Sequence, residues 1–498
     1  MMNDSLVIGL DSSTTGTKAF AFNSKGKIIA KASEPISLSS PQPNYYEQNS
    51  EDWWKSAQKV LKNITRQVKA NRIKAISISN QRETFVPLDK DYKSLRPAII
   101  WLDERCKSEV DSFSKKIGKN KIHKITGKPV DFAPCVYRLA WMKKYEKNNF
   151  NKIAMICDVQ SWLVWKLTNQ FKTSWASADP LGLFDMKNKT WSKLILDGLD
   201  LTENQLPQVY PSGTVLGKIS KDTSKLTGLS IDTMVIAGGG DGQAAGLGAN
   251  ALLTKRAYLN LGTAAVAGVY GSKYMTSKSF RTMSACADSG YYYECSLRAG
   301  TFAIDWFIKN ILDIDPLKQP NIYSQLEKEA KLIKTGSDNL FFLPYLSGAM
   351  NPYWDINARA VFIGLSSSHT KGHMYRAILE GIAFEQLFAI NLVEKSINEK
   401  VKELVAIGGG AKSNFWCQII ADITGKNICI LENPEASGLG AGIAAAVGFG
   451  WYSSFSQASE KMTSIKNIIK PNLQNHKFYL KQFLSYKKIY PAFKNNST

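Results

Sequence analysis

The same short plan occurs twice in this chain: an apolar strand, a turn rich in Gly, Ser or Thr, and a second apolar strand. The first copy, VIGLDSSTTGTKAFAF, begins at Val7, and the second, AYLNLGTAAVAGVY, begins at Ala257. The two share a pattern rather than strong identity. Two halves that each begin with such a hairpin suggest a duplicated domain on either side of a cleft. We therefore predict domains at 1–249 and 250–498, the second with a basic helical tail from about residue 455.

Strands and helices alternate between and after these hairpins. Residues 50–69 place apolar side chains at spacings of three and four, with Glu51 and Asp52 in the first turn, which predicts an amphipathic helix. The apolar run AISIS ends in Asn-Gln-Arg-Glu, and IAMIC at 153–157 ends in Asp158, which is expected to cap the next helix. This alternation predicts an α/β protein with polar residues at the ends of its strands.

Composition excludes several classes of protein. The chain has 498 residues, 44% of them hydrophobic and 21% charged, which is a globular balance and argues against disorder. Seven scattered cysteines, none in CxxC, argue against a disulfide framework or a zinc ribbon. We see no long apolar run and no secretory leader, so we expect a cytoplasmic protein that does not enter a membrane.

The net charge is +21, but the sequence contains no motif that is typical of nucleic-acid binding. Most lysines are spread singly along the chain, and the one basic block is 461–498, with eight Lys and no Asp or Glu. We interpret this block as a solvated helical face. Weak, salt-sensitive attraction to polyanions is the alternative.

The first turn, SSTTGTK, has the chemistry of a phosphate site. Backbone N–H groups and hydroxyls in a turn of this kind point toward one place, which suits phosphate oxygens. Lys18 could add a positive charge, and Asp11, at the end of the incoming strand, could hold Mg²⁺ through water. Taken alone, such a sequence is more often an ordinary turn.

Glycine-rich strand ends mark two further candidate sites. Gly238–Gly240 precede Asp241, and a carboxylate on such a turn is a candidate general base, with a simple turn residue as the alternative. Gly408–Gly410 precede a predicted helix and would let a nucleotide approach the backbone closely. The glycines at 438–442 fit close packing of small residues better than a dinucleotide fingerprint, and no P-loop is present.

These segments, in this order, resemble the FGGY family of carbohydrate kinases from Ile8 to about Trp451. GLDSSTTGTKAF and LNLGT are similar to its two phosphate hairpins, ISNQRETFVPLD to its substrate loop in glycerol kinases, and GGGDGQAAGLGA to its catalytic-aspartate segment. PYLSGAMNPYWDINARAVFIGLSSSHTKGHMYRAILEGIAFE looks like the long family signature, and AIGGGAKSNFWCQIIADITGKNI resembles the adenosine-side segment of xylulokinases.

The resemblance implies two actin-like, ribonuclease H-like (ASKHA) domains around a central cleft, with sugar held by the first domain and ATP mostly by the second. It implies that Asp241 takes the proton from the accepting hydroxyl and that Asp11 supports Mg²⁺. The acceptor contacts that it implies are Gln81, Arg82, Glu83, Asp103 and Asp241. The implied phosphate and nucleotide contacts are Ser13, Thr14, Thr15, Gly16, Lys18, Gly262, Thr263, Gly408, Gly409, Gly410 and Asn414. The expected partners are small molecules, with a homodimer as a further possibility.

The acceptor is the open question. Arg82 and Glu83 match the residues that hold polyol hydroxyls in glycerol kinases. Ala133 and Gly242 stand where those enzymes have Tyr and Gln, which predicts a roomier pocket, and Arg138 replaces a usual Lys in the first signature. The Met-His-Gly-Gln loop of xylulokinases is also absent. We expect a ketopentose, with glycerol or another polyol as the alternative. A catalytically silent sugar-binding regulator is the alternative of another class, and the intact aspartate and hairpins argue against it.

Overall fold

Two mixed β-sheets form the centre of the protein, in a computed structural model that describes residues 4–253, 255–287 and 289–494. In chain order the strands are β1 Leu6–Ser12, β2 Gly16–Phe22, β3 Ile28–Pro35, β4 Glu47–Gln48, β5 Ile73–Asn80, β6 Phe85–Leu88, β7 Ala98–Ile99, β8 Met155–Asp158, β9 Lys172–Ser174, β10 Phe184–Asp185, β11 Thr190–Trp191, β12 Gln208–Tyr210, β13 Val215–Lys218, β14 Met234–Gly240, β15 Arg256–Leu261, β16 Ala265–Gly271, β17 Arg281–Ser284, β18 Tyr291–Leu297, β19 Phe341–Leu343, β20 Val361–Ile363, β21 Glu403–Ile407, β22 Asn427–Leu431 and β23 Ile465–Ile469.

The α-helices cover the faces of these sheets and form the connections between strands. In chain order they are α1 Ser50–Gln67, α2 Lys107–Ile117, α3 Lys119–Thr126, α4 Cys135–Tyr145, α5 Lys147–Phe150, α6 Val159–Thr168, α7 Trp175–Ala178, α8 Lys193–Leu199, α9 Lys221–Thr227, α10 Asp241–Gly248, α11 Thr301–Trp306, α12 Ile322–Leu332, α13 Lys371–Ile397, α14 Asn414–Thr424, α15 Ala436–Gly448, α16 Phe455–Met462 and α17 Leu473–Lys494.

Both large sheets share the same central strand arrangement. The first has the order β13-β14-β5-β1-β2-β3, and the second has the order β17-β18-β16-β15-β21-β22-β23. In the first sheet, the antiparallel meander β1, β2, β3 continues from β1 into the parallel strands β5 and β14. In the second, the antiparallel meander β15, β16, β18 continues from β15 into the parallel strands β21 and β22. The repeated hairpins of the sequence are β1–β2 and β15–β16. The predicted α/β class with two actin-like domains is confirmed.

Helix α1 shows why the periodic segments form where they were predicted. Asn49 caps its first turn by accepting from the Glu51 N–H, and its apolar stripe is buried against the first sheet. Burial of such a stripe supplies most of the stability of a helix of this kind, since propensity alone is weak.

Helix α15 joins the two halves through small residues. A Cβ atom on Gly9 of β1 would lie 2.0 Å from the Gly438 carbonyl oxygen, and one on Gly440 would lie 1.8 Å from the Ala244 carbonyl oxygen. The backbones of β1, α10 and α15 therefore touch directly. The packing predicted for the glycines at 438–442 is confirmed, and it places a helix of the second half against the first sheet.

The basic C-terminal segment is largely helical and its eight lysines are exposed, as predicted, but it also contains a strand and packs one face against the second domain. Between α16 and α17 it contains β23, which pairs with β22 at the edge of the second sheet. Helix α17 buries Tyr479, Phe483 and Tyr486 in the core of the second domain. The Ile-rich run IKNII supplies the edge strand that a purely helical interpretation missed.

Across the described residues, no helix is both long and apolar enough to cross a bilayer.

Candidate active site

Three parallel strands of the first sheet end together. Asp11 lies opposite Ser79 in the β1–β5 register, and Gly240 lies opposite Asn80 in the β5–β14 register. Asp241 follows as the first residue of α10. The carboxyl ends of parallel strands are where α/β folds bind ligands, because loops and helix N-termini meet there. The predicted base, the predicted magnesium residue and the substrate loop are thus brought to one edge.

Asp241 is held at the start of α10 by short contacts. Its Oδ1 accepts from the Gly242 N–H at 2.7 Å and lies 3.1 Å from Arg82 Nε. The side chain remains 44% exposed. The surrounding protein desolvates the carboxyl and raises its pKa above the ordinary value, while the positive charge of Arg82 opposes this rise. The group is therefore accessible from the cleft and is a stronger base than a free aspartate.

Asp11 lies in a crowded anionic neighbourhood. Ser79 Oγ donates to its Oδ1 at 2.8 Å. Burial raises the pKa of Asp11 to about 7; the hydrogen bond from Ser79 opposes this, and the negative charge of Asp241 adds to it. Lys18, which faces Asp11 across the β1–β2 register, has its Nζ 2.8 Å from Glu435, in the turn before α15, so this cation is itself paired. A divalent cation would relieve the repulsion between these carboxylates.

Arg82 fills the space that the sequence assigned to a larger acceptor. A Cβ atom on Gly242 would lie 2.9 Å from the guanidinium carbon of Arg82, and one on Gly240 would lie 2.5 Å from Arg82 Cγ. The prediction that Gly242 enlarges the acceptor pocket is therefore wrong. The missing side chain makes room for Arg82, which lies across the start of α10 beside Asp241.

Glu83 has a backbone conformation that its surroundings must maintain. Its φ is 45°, in the left-handed region, where a residue with a side chain pays about 1 kcal/mol or more. Its Oε1 accepts from Arg281 Nη1 at 3.1 Å, and its carbonyl accepts from Arg138 Nη2 at 2.9 Å. Arg138 is fully buried and also donates to the Ile100 and Ala133 carbonyls.

Arg138 is the residue whose role sequence reasoning missed. It ties together three segments of the acceptor side, and a lysine ammonium could not fan out to three carbonyls in this planar way. The available signal was its departure from the family signature, which marked the position as unusual but did not reveal the partners.

Three other predicted residues near the first hairpin bond within the protein. Gln81 Oε1 accepts from Thr14 Oγ1 at 3.0 Å, and Thr14 in turn accepts from Trp101 Nε1 at 2.9 Å. Asp103 is fully buried and accepts from Arg105 Nε at 2.8 Å and the Tyr46 N–H at 2.7 Å. In this conformation Asp103 anchors neighbouring loops, and its contact with an acceptor stays a prediction.

The turn between β1 and β2 is closed at the Gly16 carbonyl, which accepts from the Ser13 N–H at 3.0 Å. The Ser13 hydroxyl donates to the Gly16 carbonyl at 2.8 Å, whereas Thr15 is exposed. The hydroxyl of Thr15 can therefore face a ligand.

The second sheet presents a matching edge. Its parallel strands β15 and β21 end side by side, with Asn260 opposite Ile407, so Gly262 and Thr263 lie beside Gly408–Gly410. Gly408 has φ 83°, which favours glycine, and a Cβ on Gly409 would meet no atom within 4 Å. Asn414 begins α14, which Ser413 caps. These residues leave open backbone for a flat ligand.

A small recess, with room for about one water-sized group, lies beside the substrate loop, between segments from both halves of the chain. Ala133 forms part of its wall, with Arg281, Met350 and Trp354 on the side of the second domain. Because Arg281 also bonds Glu83, the recess adjoins the predicted acceptor residues.

Comparison with known proteins identifies the chain. Residues 6–248 match the N-terminal domain, and residues 257–449 the C-terminal domain, of the FGGY family of carbohydrate kinases. The sequence is 30% identical to the xylulose kinase of Bacillus subtilis, over 99% of this chain and 98% of that one. The chain therefore belongs to the FGGY family of carbohydrate kinases. It is a sugar kinase, and kinases of this family use ATP.

Two solved structures from Lactobacillus acidophilus have closely similar folds. A gluconate kinase superposes with a TM-score of 0.92 at 27% identity, and a ligand-bound xylulose kinase with a TM-score of 0.91 at 26% identity. In both comparisons 98% of each chain is covered. Relatives with different acceptors are equally similar, so similarity alone does not select the sugar.

Proposed function

We propose that this kinase transfers the terminal phosphoryl group of ATP to a hydroxyl of a neutral ketopentose, with Asp241 as the general base. The observation that carries the choice of acceptor is the small recess at Ala133, which adjoins Glu83 through their shared neighbour Arg281. The recess suits one further hydroxyl, which a five-carbon chain bound at Arg82 and Glu83 can supply and a three-carbon acceptor cannot.

The reaction needs little covalent chemistry from the protein. The acceptor oxygen forms a bond to the γ-phosphorus as the bond to the β,γ-bridging oxygen breaks, and ADP leaves. Asp241 accepts the acceptor proton, and its raised pKa makes it a better proton acceptor than an ordinary aspartate. Positioning and neutralisation of phosphate charge account for most catalysis of this kind.

The phosphates would lie between the two hairpins. Ser13–Gly16 and Lys18 would bind them from the first domain, and Gly262 and Thr263 from the second. The nucleoside would lie over Gly408–Gly410 and Asn414.

Asp11 fits a magnesium site, because its carboxylate lies among other anions that a divalent cation would neutralise. When bound, the ion would neutralise phosphate charge. Asp11 would hold it through water at the end of β1.

The charges around the recess favour a neutral sugar over an aldonate such as gluconate. Among the described residues that line the recess, both cations are already paired with carboxylates. Lys128 Nζ lies 3.5 Å from Asp179 Oδ1, and Arg281 pairs with Glu83 and Glu294. An acceptor carboxylate would therefore have to displace an existing partner, which is costly in a buried site.

An ATP-consumption assay over a panel of acceptors tests the proposal. The panel comprises D-xylulose, D-ribulose, glycerol and gluconate. We expect a ketopentose to exceed glycerol and gluconate by about tenfold or more in kcat/KM, equivalent to ~1.4 kcal/mol of selective binding. Preference for glycerol would contradict the interpretation of the recess, and preference for gluconate would contradict the charge argument.

The same assay tests Asp241. Asp241→Asn keeps the size of the side chain but removes its capacity to accept a proton, so kcat should fall by about 100-fold or more while the KM for sugar changes little. Turnover within a few-fold of the wild type would refute the assignment. Asp222→Asn, at an exposed carboxylate of α9, is a control that should leave turnover unchanged.

A further inference from the structure

Two consecutive residues of the substrate loop, Arg82 and Glu83, meet a pair of opposite charges from the second domain. Arg281 of β17 lies opposite Glu294 of β18 in the sheet register. Arg82 Nη1 donates to Glu294 Oε1 at 2.8 Å, and Arg281 Nη1 donates to Glu83 Oε1 at 3.1 Å. Arg281 Nε closes the set by donating to Glu294 Oε2 at 2.7 Å. We call these four residues the clasp.

Glu294 is the centre of the clasp. Its side chain is 0% exposed, and the Tyr258 hydroxyl donates to it as well as the two guanidinium groups. Burial works against ionisation of this carboxyl, but Arg82 and Arg281 outweigh it and lower the pKa of Glu294 to about 2. It is therefore an anion at neutral pH, and it holds two cations that would otherwise repel each other.

Each charge in the clasp contacts a charge of opposite sign across the domain boundary. If either member from the second domain were removed, a buried charge on the substrate loop would lose its partner, which is strongly unfavourable. The side chains of Arg82 and Glu83 are thus held in place by residues about two hundred positions away, as well as by the backbone of their own loop.

We propose that Arg281 and Glu294 are positioning residues for phosphoryl transfer: they hold Arg82 and Glu83 in the orientations in which these two side chains receive the acceptor beside Asp241. This inference rests on the proposed function, in which the acceptor binds at Arg82 and Glu83. It adds that the acceptor site is complete only when the second domain contributes its cross-strand pair.

Glu294→Gln tests the proposal, with Glu403→Gln as the matched control. Glu403 forms an Arg–Glu pair with Arg256 across β15 and β21 of the same sheet, at 2.7 Å, but does not contact the substrate loop. We expect Glu294→Gln to raise the acceptor KM by about tenfold or more and to leave the KM for ATP within about twofold, because only the acceptor side loses its anchor. The control should change neither.

Hydrogen exchange gives a readout that does not depend on finding the acceptor. Amides in residues 79–88 should exchange about tenfold faster in Glu294→Gln than in the wild type and be unchanged in Glu403→Gln. Arg281→Lys, which keeps the charge but cannot span two carboxylates, should give a smaller effect in the same direction. Arg281→Lys also tests the proposal if Glu294→Gln does not fold.

Unchanged exchange in the loop, an equal effect of the control, or a parallel rise in both KM values would overturn the proposal. If the wild type phosphorylates no acceptor in the panel, the proposed function fails. In that case the exchange measurement still decides whether the clasp orders the loop.

Discussion

If Asp11 supports Mg²⁺ as proposed, a proton and the metal ion should compete for its carboxylate. Its pKa of about 7 means that a proton competes for the carboxylate below neutral pH. Since Mg²⁺ binds the ionised form, the magnesium concentration for half-maximal activity should rise by about tenfold per pH unit below pH ~7 and level off above it. Kinetic titration with MgCl₂ at about pH 6, 7 and 8 measures this.

Asp11→Asn is the companion variant. It should need more magnesium at every pH and lose the pH dependence, because the amide does not titrate in this range. A magnesium requirement that stays flat in the wild type over the same range would argue against Asp11 as the magnesium residue.

Gly242 is a residue whose role depends on the side chain it lacks. A side chain here would meet the Arg82 guanidinium at 2.9 Å, so Gly242→Gln should displace Arg82 from Asp241 and Glu294. We expect kcat/KM to fall by about tenfold or more for every acceptor, glycerol included, since lost buried charge contacts cost several kcal/mol.

Ala133→Tyr is the informative comparison for Gly242→Gln. It fills the recess, and it should reduce activity on ketopentoses more than on glycerol. A rise in glycerol activity with Gly242→Gln would restore the earlier interpretation, in which this position enlarges the pocket.

At the scale of elements, helix α15 depends on backbone contact with its neighbours. A methyl group on Gly440 would lie 1.8 Å from the Ala244 carbonyl oxygen, so α10 and α15 would have to separate. Although Ala favours a helix over Gly by about 1 kcal/mol, overpacking against backbone should outweigh this, and Gly440→Ala should destabilise the fold by about 2 kcal/mol or more. Urea unfolding measures the change.

Gly442→Ala is the matched control in the same helix. Its added methyl would meet the ring of Phe22 at 2.5 Å, and a side chain can shift where a backbone carbonyl cannot. We expect a smaller loss of stability. Equal stability of the Gly440 variant and the wild type would show that the two helices can slide apart without cost.

At the scale of the whole molecule, stability should depend on pH through Glu385 of α13. This carboxyl accepts from Tyr345 and Tyr486, each at 2.8 Å, and burial raises its pKa from 4.5 to about 7, against the effect of the two phenols. The folded state thus binds a proton that the unfolded state has lost. Its contribution is fully present below pH 4.5 and is lost as pH rises to about 7.

Glu385→Gln should remove this loss. The amide oxygen can accept from both phenols without titrating, so the variant should match the wild type near pH ~4 and exceed it by up to about 3 kcal/mol near pH ~8. Urea unfolding at both pH values checks the sign. A variant that is less stable than the wild type at the higher pH would show that the ionised carboxylate is favourable there.

The elements and the positions of the chemistry were predictable from the sequence. Apolar periodicity located α1 and the repeated hairpins, and the polar residues that follow apolar runs located the strand ends at Asp11, Arg82 and Asp241. These features are local. Apolar residues that recur every two residues specify a strand, those that recur every three to four residues specify a helix, and a carboxylate at a strand end faces the edge of the sheet.

The partners of those residues were decided only by tertiary structure. Glu294 beside Arg82, Arg281 beside Glu83, the carbonyls bound by Arg138 and the side chain above Gly242 all come from segments distant in the chain. A local pattern specifies that a residue is charged and where its element ends, but the charge that neutralises it depends on how two domains pack. The type of reaction was readable from the sequence through its resemblance to the FGGY family, whereas the shape and charge of the acceptor site required the packed structure.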